Sequence, residues 1–108
     1  MDILEKRGVR YSDLTLVNML SFYLKESMYY VEVIIQTESW EKNIAYRFVF
    51  EYIQDYQCKD PFQIMGFAIK DISDRQWEVF KYEVYDSEDD AIHFYCRDFT
   101  VEEVEPVK

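Results

Sequence analysis

The chain has 108 residues, with 22 acidic and 12 basic side chains and a formal net charge of -10. That length fits one domain, and the charge sets the surface against nucleic-acid phosphates and anionic membranes. Two Gly and two Pro, against ten Tyr, eight Phe and two Trp, exclude a low-complexity chain and favour strands over helices.

Residues 1–10 are charged and weakly patterned. They read as a loose lead-in and lack the apolar core of a signal peptide. Residues 11–25 carry two patterns at once. As a helix, Ser12 is a cap and Leu14, Val17, Leu20 and Leu24 form a stripe. As a strand, Leu14, Leu16, Leu20, Phe22 and Leu24 share a face that Asn18 interrupts.

The neighbouring segments favour the strand. Residues 29–37 place Tyr29, Val31, Val33 and Ile35 on one face, and residues 44–53 do the same with Ile44, Tyr46, Phe48, Phe50 and Tyr52. Folding one onto the other sets Ile35 on Tyr46, Val33 on Phe48, Val31 on Phe50 and Tyr29 on Tyr52. Glu32 then lies diagonal to Arg47 on the other face. Folding residues 14–24 back through residues 25–28 adds Leu24 on Tyr29, Phe22 on Val31 and Leu20 on Val33. Three strands thus agree on one apolar face.

Residues 54–61 are polar, end in Asp60 and Pro61, and read as a turn or loop. In residues 62–72 the apolar phase slips at Gly66. Phe62 and Ile64 fall on one face, Met65, Phe67 and Ile69 on the other, which calls for a bulge. Ser73, Asp74 and Arg75 form a short turn.

Residues 76–101 form a second hairpin around Asp86, Ser87, Glu88, Asp89 and Asp90. Pairing about Glu88 sets Val84 on Ile92, Tyr82 on Phe94 and Phe80 on Cys96 along a core face. Glu83 then meets His93 on the second face, which also carries Trp77, Tyr85, Tyr95 and Phe99. Residues 102–108 read as a frayed acidic tail. The expected fold is mainly β: an antiparallel meander of about six strands forming a strongly curved sheet, sandwich or partly open barrel. The alternative is α+β, with residues 11–25 as a helix packed on the sheet.

His93 is the single histidine, so a Ser–His–Asp or Cys–His site would have to use it. The hairpin register points it away from Cys96, which behaves as a small apolar group on the core face. Cys58 and Cys96 lack metal-ligand spacing, and a cytoplasmic location makes free thiols their default state. The run Asp86, Glu88, Asp89 and Asp90 lacks the spacing and the Gly of an EF-hand loop. Gly8 and Gly66 stand alone, so no phosphate loop is present. No catalytic, cofactor or metal residues are assigned.

Aromatics flanked by acids suit a basic protein partner. Trp77, Tyr85, Tyr95 and Phe99, with Asp86, Glu88, Asp89 and Asp90, are the partner-binding candidates. Two other functions remain open: a small apolar-ligand binder with a pocket lined by Phe48, Phe50 and Phe94, and a carboxylate-dependent enzyme. Self-association through a strand edge is a further option.

Trp77 and Glu78, then Tyr85, Asp86, Ser87, Glu88 and Asp89, then Ile92, His93, Phe94, Tyr95 and Cys96 carry a resemblance. The chain resembles the small acidic bacterial immunity proteins found beside polymorphic toxins, particularly in Bacillus-type genomes. The resemblance implies a non-enzymatic protein that neutralises a basic toxin through an acidic face. It assigns no role residue by residue.

Overall fold

The computed structural model describes residues 14–37, 44–60, 64, 66–75 and 79–105. Among them are eight strands: β1 (Leu14–Lys25), β2 (Met28–Thr37), β3 (Ala45–Glu51), β4 (Gln54–Cys58), β5 (Phe67–Asp71), β6 (Tyr82–Asp86), β7 (Ile92–Cys96) and β8 (Asp98–Val104). They form two antiparallel four-stranded sheets, ordered β1-β2-β3-β8 and β4-β7-β6-β5. The expected mainly β, sandwich-like antiparallel fold is the fold observed, with eight described strands in place of about six and with β8 beside β3 and β7 beside β4 in place of a simple meander; the segment weighed as helix or strand is β1. The expected lead-in, residues 1–10, lies outside the described residues, and the expected frayed tail from residue 102 is strand as far as Val104, the end of β8.

The first three strands pair as their apolar alternation dictates. Leu20 faces Val33, Phe22 faces Val31 and Leu24 faces Tyr29. Val31 faces Phe50, Val33 faces Phe48 and Ile35 faces Tyr46. The Asn18 interruption is a register shift between Val17 and Met19, which lets Val17 and Leu20 both turn inward. On the outer face Arg47 pairs with Glu32 and, at 3.0 Å, with Glu102.

The two sheets are halves of one bent ribbon. Glu51 faces Asp98, and three residues further on in each direction Gln54 faces Tyr95, so no residue is gained or lost across the corner. Tyr52 makes the bend with a φ of 60°, a left-handed value that costs a non-glycine residue energy. Arg97 braces it from the opposite strand. Its backbone N–H donates to the Glu51 carbonyl at 3.0 Å, its guanidinium donates to the Glu51 carboxylate at 3.0 Å, and it lies 5.4 Å from the Tyr52 ring centre.

Crossing that corner resets the side-chain alternation, and two expectations change. Residues 54–58 are a strand, β4, rather than a loop, because they continue β3 and pair with β7. Phe99 belongs to the core, 1% exposed, rather than to the second hairpin face. Its strand has left the sheet of Tyr85 and Tyr95 and faces Phe50. Phe50 is the hub between the sheets, with Phe94, Phe99, Phe48 and Phe67 rings 5.1, 5.6, 5.7 and 6.3 Å away. Phe48, Phe50 and Phe94 are each 0% exposed. They fill the core against one another instead of lining a ligand pocket.

The second hairpin has the expected core face but a different register. Val84 faces Phe94, Tyr82 faces Cys96 and Tyr85 faces His93, two residues away from pairing about Glu88. A shift of two preserves the faces, so Val84, Ile92, Phe94 and Cys96 are buried as anticipated. The slip at Gly66 is a bend just before β5 rather than a bulge within a strand. Residues 73–75 are a single 3-10 turn.

Candidate functional site

The acidic turn between β6 and β7 owes its shape to one residue. Asp86 is 4% exposed, and its carboxylate accepts four backbone N–H groups. One oxygen takes Gly66 at 2.9 Å and Glu88 at 3.1 Å; the other takes Asp89 at 3.2 Å and Ala91 at 3.1 Å. Burial alone would push this carboxyl up, but the donors from Ala91, Glu88, Gly66 and Asp89 together hold it below the usual carboxylate range. Those bonds draw residues 87–91 into the turn, and this causes the register shift. Asp86 is therefore an internal staple of the turn and not an exposed acid.

Gly66 completes the staple. The Ser87 N–H donates to the Gly66 carbonyl at 2.9 Å and the Ser87 hydroxyl donates to it at 3.2 Å. A Cβ on Gly66 would crowd the Ser87 hydroxyl oxygen and stand 2.9 Å from Glu88 Cγ, while the nearest backbone atom, Glu88 N, would be 3.5 Å away, so a larger residue there would displace the Ser87 and Glu88 side chains. Glu88, Asp89 and Asp90 then project into solvent from a fixed backbone. Lys59 Nζ reaches Asp90 at 4.0 Å, a largely exposed and therefore weak pair.

Beside the turn lies the outer face of the β4-β7-β6-β5 sheet. Tyr85 and Tyr95 are half-buried there. His93 Nε2 meets the Glu83 carboxylate at 2.8 Å, a diagonal contact in place of the direct cross-strand pair expected. Arg75 approaches the same carboxylate at 3.7 Å, and the His93 and Tyr95 rings meet edge to face at 5.0 Å. The structure thus brings Tyr85, Tyr95, Glu88, Asp89 and Asp90 to one sheet and its end turn, removes Phe99 and Asp86 to the interior, and leaves Trp77 outside the described residues.

His93 and Cys96 lie on opposite faces of β7, and Cys96 is 0% exposed. Burial first, with Asp98 and Glu51 adding to it, pushes the Cys96 thiol up. The Cys58 thiol is also raised, chiefly by burial, with Asp60 adding and the Tyr56 hydroxyl partly opposing. Raised thiols are poor nucleophiles. Both cysteines are free. Among the described residues no group of three His, Cys, Asp or Glu side chains is arranged to hold a metal ion. Glu51 and Asp98 border one hollow of about 190 Å³. Glu51 is engaged by Arg97, and Asp98 accepts the Phe99 N–H at 2.8 Å.

Sequence reading did not anticipate a second exposed apolar area. Phe22, Leu24, Tyr29 and Tyr52 are 44%, 59%, 48% and 40% exposed. Phe22, Leu24 and Tyr29 lie on the core-facing side of β1 and β2 and Tyr52 at the corner between β3 and β4; β2 runs two residues past the Glu51 end of β3, and all four side chains stay partly exposed. Phe22 stacks on Tyr29 at 5.3 Å and on Tyr56 at 4.5 Å. A cleft of about 260 Å³ between this tip and the corner is lined by Met28, Tyr29, Tyr52, Ile53 and Phe80, with Ser27 and Gln54. The sequence carried no length signal for this, since residues 29–37 and 44–53 read as strands of similar length; β3 ends at Glu51 because the chain turns at Tyr52.

Fold and site together define a small antiparallel β-sandwich protein with a stapled acidic turn and uncovered aromatic side chains. The chain belongs to the family described as immunity protein PIM8, whose family model matches residues 1–102. No curated protein and no solved structure matches the chain.

Proposed function

We propose that this protein binds and neutralises a toxin, acting by occupancy rather than by catalysis, and that the toxin surface it meets is basic. Membership of an immunity protein family supports the general role. The observation that carries the specific reading is the Asp86-stapled turn, which presents Glu88, Asp89 and Asp90 on a backbone already fixed before binding. A preorganised acidic turn loses little conformational entropy on association and steers a cationic partner through its field. Tyr85 and Tyr95 on the adjoining face supply amphipathic contact area. The cytoplasm is the proposed place of action.

The test uses the protein product of the gene beside the one encoding this chain. Co-expression of the two is expected to restore growth that the neighbour alone arrests, and the two should co-purify. Reversing Glu88, Asp89 and Asp90 to Lys is expected to slow association at low salt by about tenfold or more. An unchanged association rate would remove the turn from the interface. Growth arrest that the chain does not relieve, with no complex formed, would remove that product as its partner.

A further inference from the structure

We propose that β1 is a self-association edge, where two copies of this chain pair β1 to β1 antiparallel about a two-fold axis at Phe22. The inference is independent of the toxin-binding reading and uses the other sheet.

β1 stands at the end of the order β1-β2-β3-β8, and among the described residues no strand pairs with its outer edge. The other three edge strands carry charge. β8 has Asp98, Glu102 and Glu103, β4 has Asp55, and β5 has Lys70 and Asp71. From Leu14 to Leu24, β1 has no charged residue and no proline. Natural sheet edges are normally blunted by charge, proline or bulges. The register shifts of β1 fall between Leu14 and Leu16 and between Val17 and Met19, so from Met19 to Lys25 the edge runs regular.

The direction of its backbone groups follows from one bond. The Tyr29 carbonyl accepts the Tyr52 N–H at 3.0 Å, so the polar groups of Tyr29 face β3. Leu24, opposite Tyr29, therefore turns its own N–H and C=O away from β2, and Phe22 and Leu20 do so by alternation. The turn agrees. Glu26 and Ser27 have φ of 53° and 65°, a two-residue hairpin loop in which Lys25 and Met28 form the hydrogen-bonded pair.

The edge is self-complementary. With the axis at Phe22, Phe22 meets Phe22 of the second copy, Leu20 meets Leu24, and Ser21 meets Tyr23. The outward backbone groups of Leu20, Phe22 and Leu24 would all be paired, about six hydrogen bonds in all. Exposed Phe22 and Leu24 gain apolar cross-strand neighbours on one face. Charge selects the same place. Two chains that each carry a net -10 repel wherever carboxylates meet, and β1 is the edge strand that offers none.

The test is sedimentation velocity on the full chain across a concentration series. A reversible dimer is expected, tightened by added salt because screening weakens the repulsion between like-charged copies. Phe22→Lys sets two cations across the axis, and Leu24→Pro removes an outward N–H while sparing the bonds to β2. Each is expected to weaken dimerisation about tenfold or more with the strand signal in circular dichroism unchanged. Leu24 is the more exposed position, so its variant keeps the test valid should Phe22→Lys unfold. A wild-type chain that stays monomeric overturns the proposal. So does a dimer that neither variant weakens, which would place the contact elsewhere. A monomeric wild type that loses its protein partner upon Leu24→Pro would assign the edge to a foreign strand and overturn it as well.

Discussion

Asp86 shows how much one side chain can determine. Four backbone donors converge on a carboxylate that is nearly enclosed. Asp86→Asn replaces two accepting oxygens by one and sets an NH2 against N–H groups, leaving buried donors without a partner. The expected loss is about 1–3 kcal/mol at neutral pH. Because the folded-state carboxyl is held below its ordinary value, its contribution is present above the unfolded value near pH 4 and fades as pH falls through the lowered one. The stability gap between wild type and variant should therefore be widest at pH 7 and narrow by pH 3, as read by urea denaturation at both. A gap that stays constant would mean that the carboxylate charge contributes nothing. The sequence did contain a signal here: an Asp followed by short polar residues is ordinary Asx-turn chemistry. It did not say which of four neighbouring acids turns inward, since that depends on Gly66 arriving from 20 residues away.

At the scale of elements, the two hairpins contrast. The β1–β2 and β2–β3 registers were legible because apolar residues line one face of all three strands, and a one-residue slip would expose them. In β6 and β7 a shift of two leaves the faces intact, so alternation could not distinguish the registers, and the Asp86 turn decided between them. The β1–β2 turn holds a cost of its own. Ser27, with a φ of 65°, occupies a region that disfavours L side chains. Ser27→Gly is expected to stabilise the chain by up to about 1 kcal/mol, the relief of strain being partly offset by a freer unfolded chain. The readout is a higher urea midpoint at an unchanged slope. A lower midpoint would show that the Ser27 side chain holds the turn.

For the whole molecule, charge gives the sharpest prediction. The proposed toxin contact joins unlike charges through Glu88, Asp89 and Asp90, and the proposed self-contact joins like-charged copies through an uncharged strand. Added salt should weaken the first and strengthen the second. Measuring both affinities on one preparation, at low and at high ionic strength, separates the two surfaces. Parallel salt trends would mean that they are not distinct.

Composition and period determined the β class, the pairing of the first three strands and the core sides of the second hairpin, because side-chain alternation is a local property of a strand. The resemblance of the C-terminal third to immunity proteins also held at the level of the family. Tertiary structure alone decided what depends on the corner at Tyr52 and Arg97. There the chain changes sheets, β4 is formed from a polar stretch, and Phe99 moves from an imagined surface into the core. At the β1–β2 tip Phe22, Leu24 and Tyr29 stay partly exposed, with Tyr56 of the second sheet stacked on Phe22. Alternation reads one strand at a time. A bend shared by two strands distant in sequence is set by what packs across it, and local periodicity does not encode that.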